Sequence, residues 1–144
     1  ELNDAKRGMR WIRTNAAQYG IDPQRIGVIG FSAGGHLAST VATLFDDGDA
    51  SAADVIDRVS SRPDWACLCY PVISMIEPFM HRGSRKNLLG PEDNDDNGAK
   101  MSSERNVTDR TPPTFIFQTD EDTVVPAENA VSFYLALRKH KIPS

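Results

Sequence analysis

The sequence predicts an α/β fold in which a parallel sheet is flanked by helices. Three short apolar runs, at 26–31, 65–70 and 114–118, alternate with longer segments that have helical character. The first run shows no alternation of apolar and polar residues, which is typical of a strand buried on both faces. The resulting order of helix, strand, helix, strand, long crossover, strand and helix favours parallel strands joined by right-handed crossovers.

Four helical segments are predicted around these strands. Residues 3–19 repeat apolar side chains at steps of three and four, and residues 33–45 are rich in small side chains that allow a helix to lie close to a sheet. Residues 52–60 predict a short helix, with Val55, Ile56 and Val59 facing inward. Residues 127–140 predict a longer helix, with Ala130, Tyr134 and Leu137 along its apolar side.

The segment 72–113 contains no clear strand pattern. Irregular stretches of this length are uncommon inside a domain unless they carry function or form a cap. We therefore expect this segment to lie near a functional site.

Composition and charge narrow the classes of partner. The chain has 144 residues, a net charge of −4 and 40% hydrophobic residues, so it can form a packed core. No basic patch is present, which argues against nucleic acid and against an anionic membrane surface as main partners. No apolar run is long enough to span a bilayer. The chain begins at Glu1 without a methionine, so cytoplasmic and exported locations both stay open, as does the oligomeric state.

The two cysteines, Cys67 and Cys69, lie two positions apart on a predicted strand and should share one face. Such neighbours are poorly placed to form a disulfide with each other. We interpret them as small buried apolar residues. No set of metal ligands with suitable spacing accompanies them, so neither a metal nor an organic cofactor is expected.

The main chemical motif is Gly30-Phe31-Ser32-Ala33-Gly34, which matches G-x-S-x-G. It follows a predicted buried strand and opens a predicted helix, as a nucleophile elbow requires. A sharp turn would lift the Ser32 hydroxyl above the sheet, and the crowded turn would exclude side chains at Gly30 and Gly34. The Ala33 N–H, at the helix N-terminus, is the candidate oxyanion donor.

Two alternatives for this motif are an ordinary tight turn and a phosphate-binding turn. The sequence shows neither G-x-G-x-x-G nor a following G-K-[ST], which disfavours the phosphate site. We therefore predict that Ser32 is a nucleophile.

A serine nucleophile needs a base and a carboxylate that orients the base. Residues 119–126 come directly after the third predicted strand, where strand ends of an α/β sheet present site residues. This loop contains Asp120, Glu121 and Asp122. The alternative interpretation is a solvated acidic loop without a catalytic role.

Four segments together resemble the α/β-hydrolase superfamily: Gly-Phe-Ser-Ala-Gly-Gly-His at 30–36, Arg-Pro-Asp at 62–64, Tyr-Pro-Val-Ile-Ser at 70–74 and Asp-Thr-Val-Val-Pro at 122–126. The sequence is most similar to the bacterial esterase branch, which includes acetyl-xylan and feruloyl esterase-like enzymes. The resemblance covers nearly the whole chain. It implies that Asp122 is the triad acid of a serine hydrolase acting on small-molecule or carbohydrate esters.

Two parts of the family pattern do not occur in these residues. The family's histidine follows one further strand, and its second oxyanion donor comes from a Gly-rich loop before the nucleophile. We therefore expect residues 1–144 to be the C-terminal portion of a single α/β-hydrolase domain. The expected fold is incomplete: N-terminal strands and the final, histidine-bearing strand are missing, and the fragment is expected to be inactive alone.

The three histidines of the chain are His36, His81 and His140, and none is expected to act as the general base. His36 lies one turn into a helix, where the N-terminus disfavours an imidazolium. His140 is near the end of the last helix. His81, with Arg82 and Ser84, is the better candidate for a substrate pocket.

Two other functions stay open at this point. A serine peptidase of the prolyl-oligopeptidase kind would share the fold and triad. The other is a non-catalytic binding domain with a degenerate hydrolase fold, which would need no catalytic histidine.

Overall fold

The computed structural model describes all 144 residues and contains one three-stranded sheet. Strands β1 (Gly27–Phe31), β2 (Trp65–Cys69) and β3 (Thr114–Phe117) pair in parallel in that order. The register sets Phe31 beside Cys69 and Cys69 beside Phe117, so the carboxyl ends of all three strands meet at one edge. The predicted α/β class and parallel sheet are confirmed.

Five α-helices surround or extend from this sheet. They are α1 (Leu2–Thr14), α2 (Ala33–Thr43), α3 (Arg82–Leu89), α4 (Asp95–Lys100) and α5 (Glu128–Lys139). Four short 3-10 turns complete the chain: Ala16–Tyr19, Val55–Arg58, Gly90–Glu92 and Ser103–Arg105. No helix has the length and apolar character needed to cross a bilayer.

The main core lies between the sheet and helices α2 and α5. Leu68 of β2, Phe133 and Leu137 of α5 and Ala38 of α2 are almost completely buried in it. A smaller cluster joins α1 to α2 through Met9, Ile26 and Val41. Burial of such side chains supplies most of the stability of a domain of this size.

The other face of the sheet is open to solvent. Its side chains come from alternate positions of each strand and are 46–64% exposed: Ile29, Phe31, Trp65, Phe115 and Phe117. Cys67 and Cys69 also belong to this face, as their spacing predicts, because they pair with residues of the same row. Their predicted burial is wrong, since both are free thiols at intermediate exposure.

The segment 72–113 is more regular than its sequence pattern indicates, because it contains α3, α4 and two 3-10 turns. Side-chain caps rather than apolar periodicity begin these short helices. His81 Nδ1 accepts from the Ser84 amide at the start of α3, and Asn94 Oδ1 accepts from the Asn97 amide at the start of α4. Caps of this kind stabilise helices that are too short to be recognised by periodicity.

Several helix details also differ from the sequence prediction. The predicted helix 3–19 ends as an α-helix at Thr14 and continues as a 3-10 turn, and the predicted helix 52–60 is only the turn Val55–Arg58. Val55 is 53% exposed rather than inward-facing. Tyr134 is 39% exposed, because α5 turns its neighbour Phe133 toward the sheet instead.

The Arg-Pro-Asp segment at 62–64 has a structural role. Asp64 Oδ2 accepts from the backbone N–H of Ile26 at 2.9 Å and from the Arg13 guanidinium at 3.0 Å. This carboxylate therefore ties α1 and the start of β1 to the residue that precedes β2.

Two leucines on α5 test the position of the core. We expect Leu137→Ala to lower the free energy of unfolding by about 2–5 kcal/mol, because Leu137 is fully buried and its loss leaves a cavity. Leu135→Ala is the matched control: Leu135 is 60% exposed on the same helix, so the change should stay within about 0.5 kcal/mol. Urea unfolding measures both, and equal effects would contradict the assigned helix face.

Candidate active site

Ser32 occupies a strained turn between β1 and α2. Its backbone has φ 52° and ψ −121°, a conformation that residues other than glycine rarely adopt. The Ser32 amide donates to Cys69 O at 3.1 Å, and the Ser32 carbonyl accepts from the Val72 amide at 3.0 Å and from the His36 amide at 3.3 Å. These bonds hold the turn from both sides, and the hydroxyl makes no capping hydrogen bond to α2.

Close backbone approach explains one of the two glycines in the G-x-S-x-G motif. A Cβ atom at Gly30 would lie 2.2 Å from the Gly34 carbonyl oxygen and 2.8 Å from the Ala38 Cβ. At Gly34 a Cβ would meet no atom within 4 Å, so the expected crowding at Gly34 is absent from these residues. The crowded glycine on this side is Gly35, whose Cβ would lie 2.7 Å from the Pro71 Cβ. The Gly-Gly pair after Ser32 is the sequence feature that marks it.

Ala33 is the first residue of α2 and is exposed. The first N–H groups of an α-helix have no partner within the helix and carry the positive end of its dipole. The Ala33 N–H is therefore free to stabilise negative charge that develops beside Ser32.

Asp122 is the one carboxylate of its loop that is held by hydrogen bonds. Its Oδ1 accepts from the backbone amides of Val124 and Val125, both at 2.9 Å. Its Oδ2 lies 3.3 Å from Gln118 Nε2. The amide of Val125, then that of Val124, lowers the pKa of Asp122 below its usual range, with a smaller effect from Gln118. Asp122 is therefore ionised at neutral pH.

The neighbouring carboxylates Asp120 and Glu121 are exposed and make no side-chain hydrogen bond. Gln118, to which no sequence motif points, is an amide directly after β3 and four residues before Asp122. Its position at the end of a predicted strand and close to the acidic loop is the sequence feature that could have identified Gln118.

Ser32 and Asp122 lie at the same edge of the sheet. Ser32 directly follows β1, and Asp122 comes five residues after the end of β3, with β2 between the two strands. Neighbouring strands are about 4.8 Å apart, so the ends of β1 and β3 are separated by about 10 Å. No hydrogen bond joins the two side chains, since the hydrogen-bond partners of Asp122 are Gln118, Val124 and Val125.

None of the three imidazole rings forms a hydrogen bond with Ser32 or Asp122. His36 is 5% exposed, and its Nε2 lies 2.7 Å from the Met101 carbonyl oxygen. His140 follows α5, with Nδ1 2.7 Å from Asp109 Oδ1. His81 is engaged at the N-terminus of α3, where its Nδ1 lies 2.8 Å from Ser84 Oγ.

A cavity of about 180 Å³ opens beside Ala33. Ser84 lines it together with His36, Met75 and Leu88, whereas His81 and Arg82 do not. Arg82 instead pairs with Glu77. A role for His81 in a substrate pocket stays a prediction. Across all 144 residues no cluster of three His, Cys, Asp or Glu side chains is arranged to hold a metal ion.

The parallel sheet flanked by helices and the strained serine turn at its edge define a protein of the α/β-hydrolase class. The BD-FAE family model matches residues 1–137, and the chain belongs to that family.

Relatives of this chain include xylan-degrading enzymes and esterases. Endo-1,4-beta-xylanase B of Butyrivibrio fibrisolvens is 44% identical over 142 residues, which are 99% of this chain and 22% of that protein. Acetylxylan esterase of Xylanibacter ruminicola is 36% identical over 141 residues, or 95% of this chain and 27% of that protein. The chain thus spans about a quarter of the length of these two relatives.

A solved structure shares the fold closely. The acetyl ester-xyloside bifunctional hydrolase from Caldicellulosiruptor lactoaceticus superposes with a TM-score of 0.96 at 51% identity, covering 99% of this chain and 52% of that one. A putative carboxylesterase from Lactobacillus plantarum superposes with a TM-score of 0.74 at 26% identity, again over about half of its length.

Gly30 provides a test of the turn. We expect Gly30→Ala to destabilise the protein by about 2 kcal/mol or more, because the added methyl group meets backbone oxygen that has no room to move. Gly8→Ala on α1 is the control; no atom lies within 4 Å of a Cβ there, so the helix should gain about 0.5–1 kcal/mol. A Gly30→Ala protein with unchanged thermal unfolding would contradict the close approach.

His36 predicts a pH dependence of stability. Burial lowers the pKa of His36 below its usual 6.5, so the folded protein keeps the ring neutral. The free energy of unfolding is unaffected by His36 titration above the pKa that this residue has in the unfolded chain. It falls as pH drops below that pKa, because only the unfolded state then binds the proton. Urea unfolding from about pH 7.5 to pH 5 should show stability falling by up to about 1.4 kcal/mol per pH unit more than in His36→Asn. Parallel pH curves for the two proteins would disprove a buried neutral His36.

Proposed function

We propose that this chain carries the nucleophile and acid of a serine hydrolase that cleaves carboxylic esters. Ser32 is the nucleophile, Asp122 is the triad acid, and the histidine comes from outside residues 1–144. The observation that carries the proposal is the strained Ser32 turn, which backbone hydrogen bonds hold in place. It lies at the same sheet edge as the ionised Asp122, whose carboxylate accepts two backbone hydrogen bonds.

In this mechanism the Ser32 hydroxyl attacks the ester carbonyl carbon while the histidine accepts its proton. The Ala33 N–H donates to the oxyanion of the tetrahedral intermediate. Collapse of the intermediate expels the alcohol, which takes the proton back from the imidazolium, and leaves an acyl group on Ser32. Water then attacks the acyl-enzyme with the same histidine as base, releasing the carboxylic acid. Asp122 stays ionised throughout and holds the imidazole in the required tautomer.

Two similar proteins support a proposal for the substrate class. An acetylxylan esterase and an acetyl ester-xyloside bifunctional hydrolase both point to acetyl esters of carbohydrate. We therefore propose acetylated xylose-containing carbohydrate as the natural substrate and small aryl acetates as convenient assay substrates. No observation on this chain favours a peptidase.

The test uses the natural protein that contains residues 1–144 and follows hydrolysis of p-nitrophenyl acetate. Ser32→Ala should lower kcat by about 10⁶-fold and abolish labelling by a fluorophosphonate. Asp122→Asn should lower kcat by about 10⁴-fold, because the amide neither holds the histidine in the required tautomer nor stabilises the imidazolium that forms. Asp120→Asn is the matched control two residues away and should leave kcat nearly unchanged.

Two further measurements separate the alternatives. Turnover of a dipeptide amide faster than that of the aryl acetate would favour a peptidase over an esterase. A natural protein that is not labelled at Ser32 would instead be a non-catalytic binding domain. The 144-residue chain alone should hydrolyse the ester at a small fraction of the natural protein's rate, because it provides no base beside Ser32.

A further inference from the structure

Asn129 uses its whole side-chain hydrogen-bonding capacity inside the protein. It is the second residue of α5 and has no exposed surface. Its Oδ1 accepts from the amides of Ile73 and Ser74, at 2.9 and 3.0 Å. Its Nδ2 donates to the carbonyl oxygens of Phe79 and Pro126, at 2.9 and 3.1 Å. An amide has two donors and two acceptor sites, so all four are occupied.

The acceptor side of Asn129 holds the segment that supports the nucleophile. Ile73 and Ser74 lie just beyond the end of β2, and the residue before them, Val72, donates its amide to the carbonyl oxygen of Ser32. Asn129 is thus one residue removed from the bond that fixes the Ser32 turn.

The donor side holds the loop of the acid. Pro126 ends the loop that begins after β3, and its neighbour Val125 donates its amide to Asp122 Oδ1. The Asn129 backbone amide also donates to the Pro126 carbonyl, at 3.0 Å, so this oxygen receives two hydrogen bonds from one residue.

These contacts form a continuous path between the two proposed catalytic residues. It runs from the Ser32 carbonyl through Val72 and Ile73 to Asn129, and from there through Pro126 and Val125 to Asp122, with every hydrogen bond between 2.9 and 3.1 Å. Val72, Ile73, Val125 and Asn129 are at most 2% exposed, so water does not compete for these bonds. The alternative contact to the acid, from Gln118, is longer at 3.3 Å and reaches only β3.

An apolar side chain of similar size would not replace this amide. It would leave the buried amides of Ile73 and Ser74 and the carbonyls of Phe79 and Pro126 without their side-chain partner, which is costly away from water. An amide side chain provides two donors and two acceptor sites, so it can accept from one segment twice and donate to the other twice.

We propose that Asn129 is a positioning residue that fixes the separation between the Ser32 turn and the Asp122 loop. This inference rests on the proposed ester hydrolase function. It assigns to Asn129 an effect on the acid–base geometry, through the segments it joins, and no contact with substrate.

The kinetic test uses the natural protein that contains this chain, with active sites counted by fluorophosphonate titration. Asn129→Ala removes both halves of the link without adding charge. Asn129→Asp keeps an acceptor for Ile73 and Ser74 but sets an oxygen against the carbonyls of Phe79 and Pro126. Both variants should lose roughly 10- to 100-fold in kcat per titrated site, with KM changed much less, because small misplacements of catalytic groups have effects of this size.

The pH profile distinguishes positioning from simple support of the fold. In Asn129→Ala the acid limb of kcat/KM should move to lower pH by about one unit, because the imidazolium loses part of its stabilisation by Asp122. Ser132→Ala is the control: Ser132 Oγ donates to the Asn129 carbonyl on the same helix without contacting either loop. It should leave kcat and the acid limb unchanged. The proposal would be overturned if the Asn129 variants had fewer active sites that react with the fluorophosphonate, but a normal kcat per active site and a normal acid limb of kcat/KM.

Hydrogen exchange of the unaltered protein tests the link if neither variant folds. The amides of Ile73 and Ser74 should exchange with protection within roughly tenfold of the amides of Val124 and Val125, because one opening event would release both segments. Exchange at Val124 and Val125 through a separate, much more frequent opening would overturn the proposal. A natural protein that neither hydrolyses esters nor labels at Ser32 would defeat the proposed function, and the exchange result would still decide the link.

Discussion

The backbone conformation of Ser32 is the constraint on which the rest of the site depends. A non-glycine residue at φ 52° and ψ −121° costs about 1–3 kcal/mol, so it persists only where its surroundings determine it. Here the carbonyl of Cys69 and the amide of Val72 bond to the two sides of the turn. Glycines at 30 and 35 let the preceding strand and the following segment approach closely enough for those bonds to form. The strain is therefore stabilised by the neighbouring strand rather than by α2 alone.

The end of β2 is the structural centre of this arrangement. Cys69 and Val72 bond to Ser32, while between them the Tyr70 amide donates to the Phe117 carbonyl at the end of β3 at 2.6 Å. Tyr70 itself has φ 37°, a second left-handed residue that is not glycine. Residues 69–72 thus form hydrogen bonds both with the Ser32 turn and with the end of β3. Because parallel strands align their carboxyl ends, this one segment determines where both the Ser32 turn and the Asp122 loop begin.

The sequence was sufficient to predict the strands and the strained turn because these depend on neighbouring residues: an apolar run followed directly by G-x-S-x-G. It was insufficient for 72–113, where short helices begin at side-chain caps and lack apolar periodicity. Crowding was assigned to Gly34 instead of Gly35, because the segment that approaches comes from Pro71, far along the chain. Asn129 was missed for the same reason: its side-chain partners Ile73, Ser74 and Phe79 lie 50 or more positions away, and nothing local distinguishes it from an ordinary polar residue in a helix.

The hydrogen bonds of Asp122 determine how a base from outside these residues would fit. Its Oδ1 is occupied by two backbone amides at 2.9 Å, whereas its Oδ2 has only a longer contact of 3.3 Å with Gln118. An imidazole N–H would therefore bond to Oδ2, while its other nitrogen faced the uncapped hydroxyl of Ser32. The ring would lie above the end of β2, between the Ser32 hydroxyl and Asp122 Oδ2. Hydrogen bonds within residues 1–144 hold both the Ser32 backbone and the Asp122 carboxylate, so in the proposed mechanism the histidine completes a geometry that is already ordered. Groups that are already in place need no reorganisation during the reaction, and this preorganisation is the main source of electrostatic catalysis.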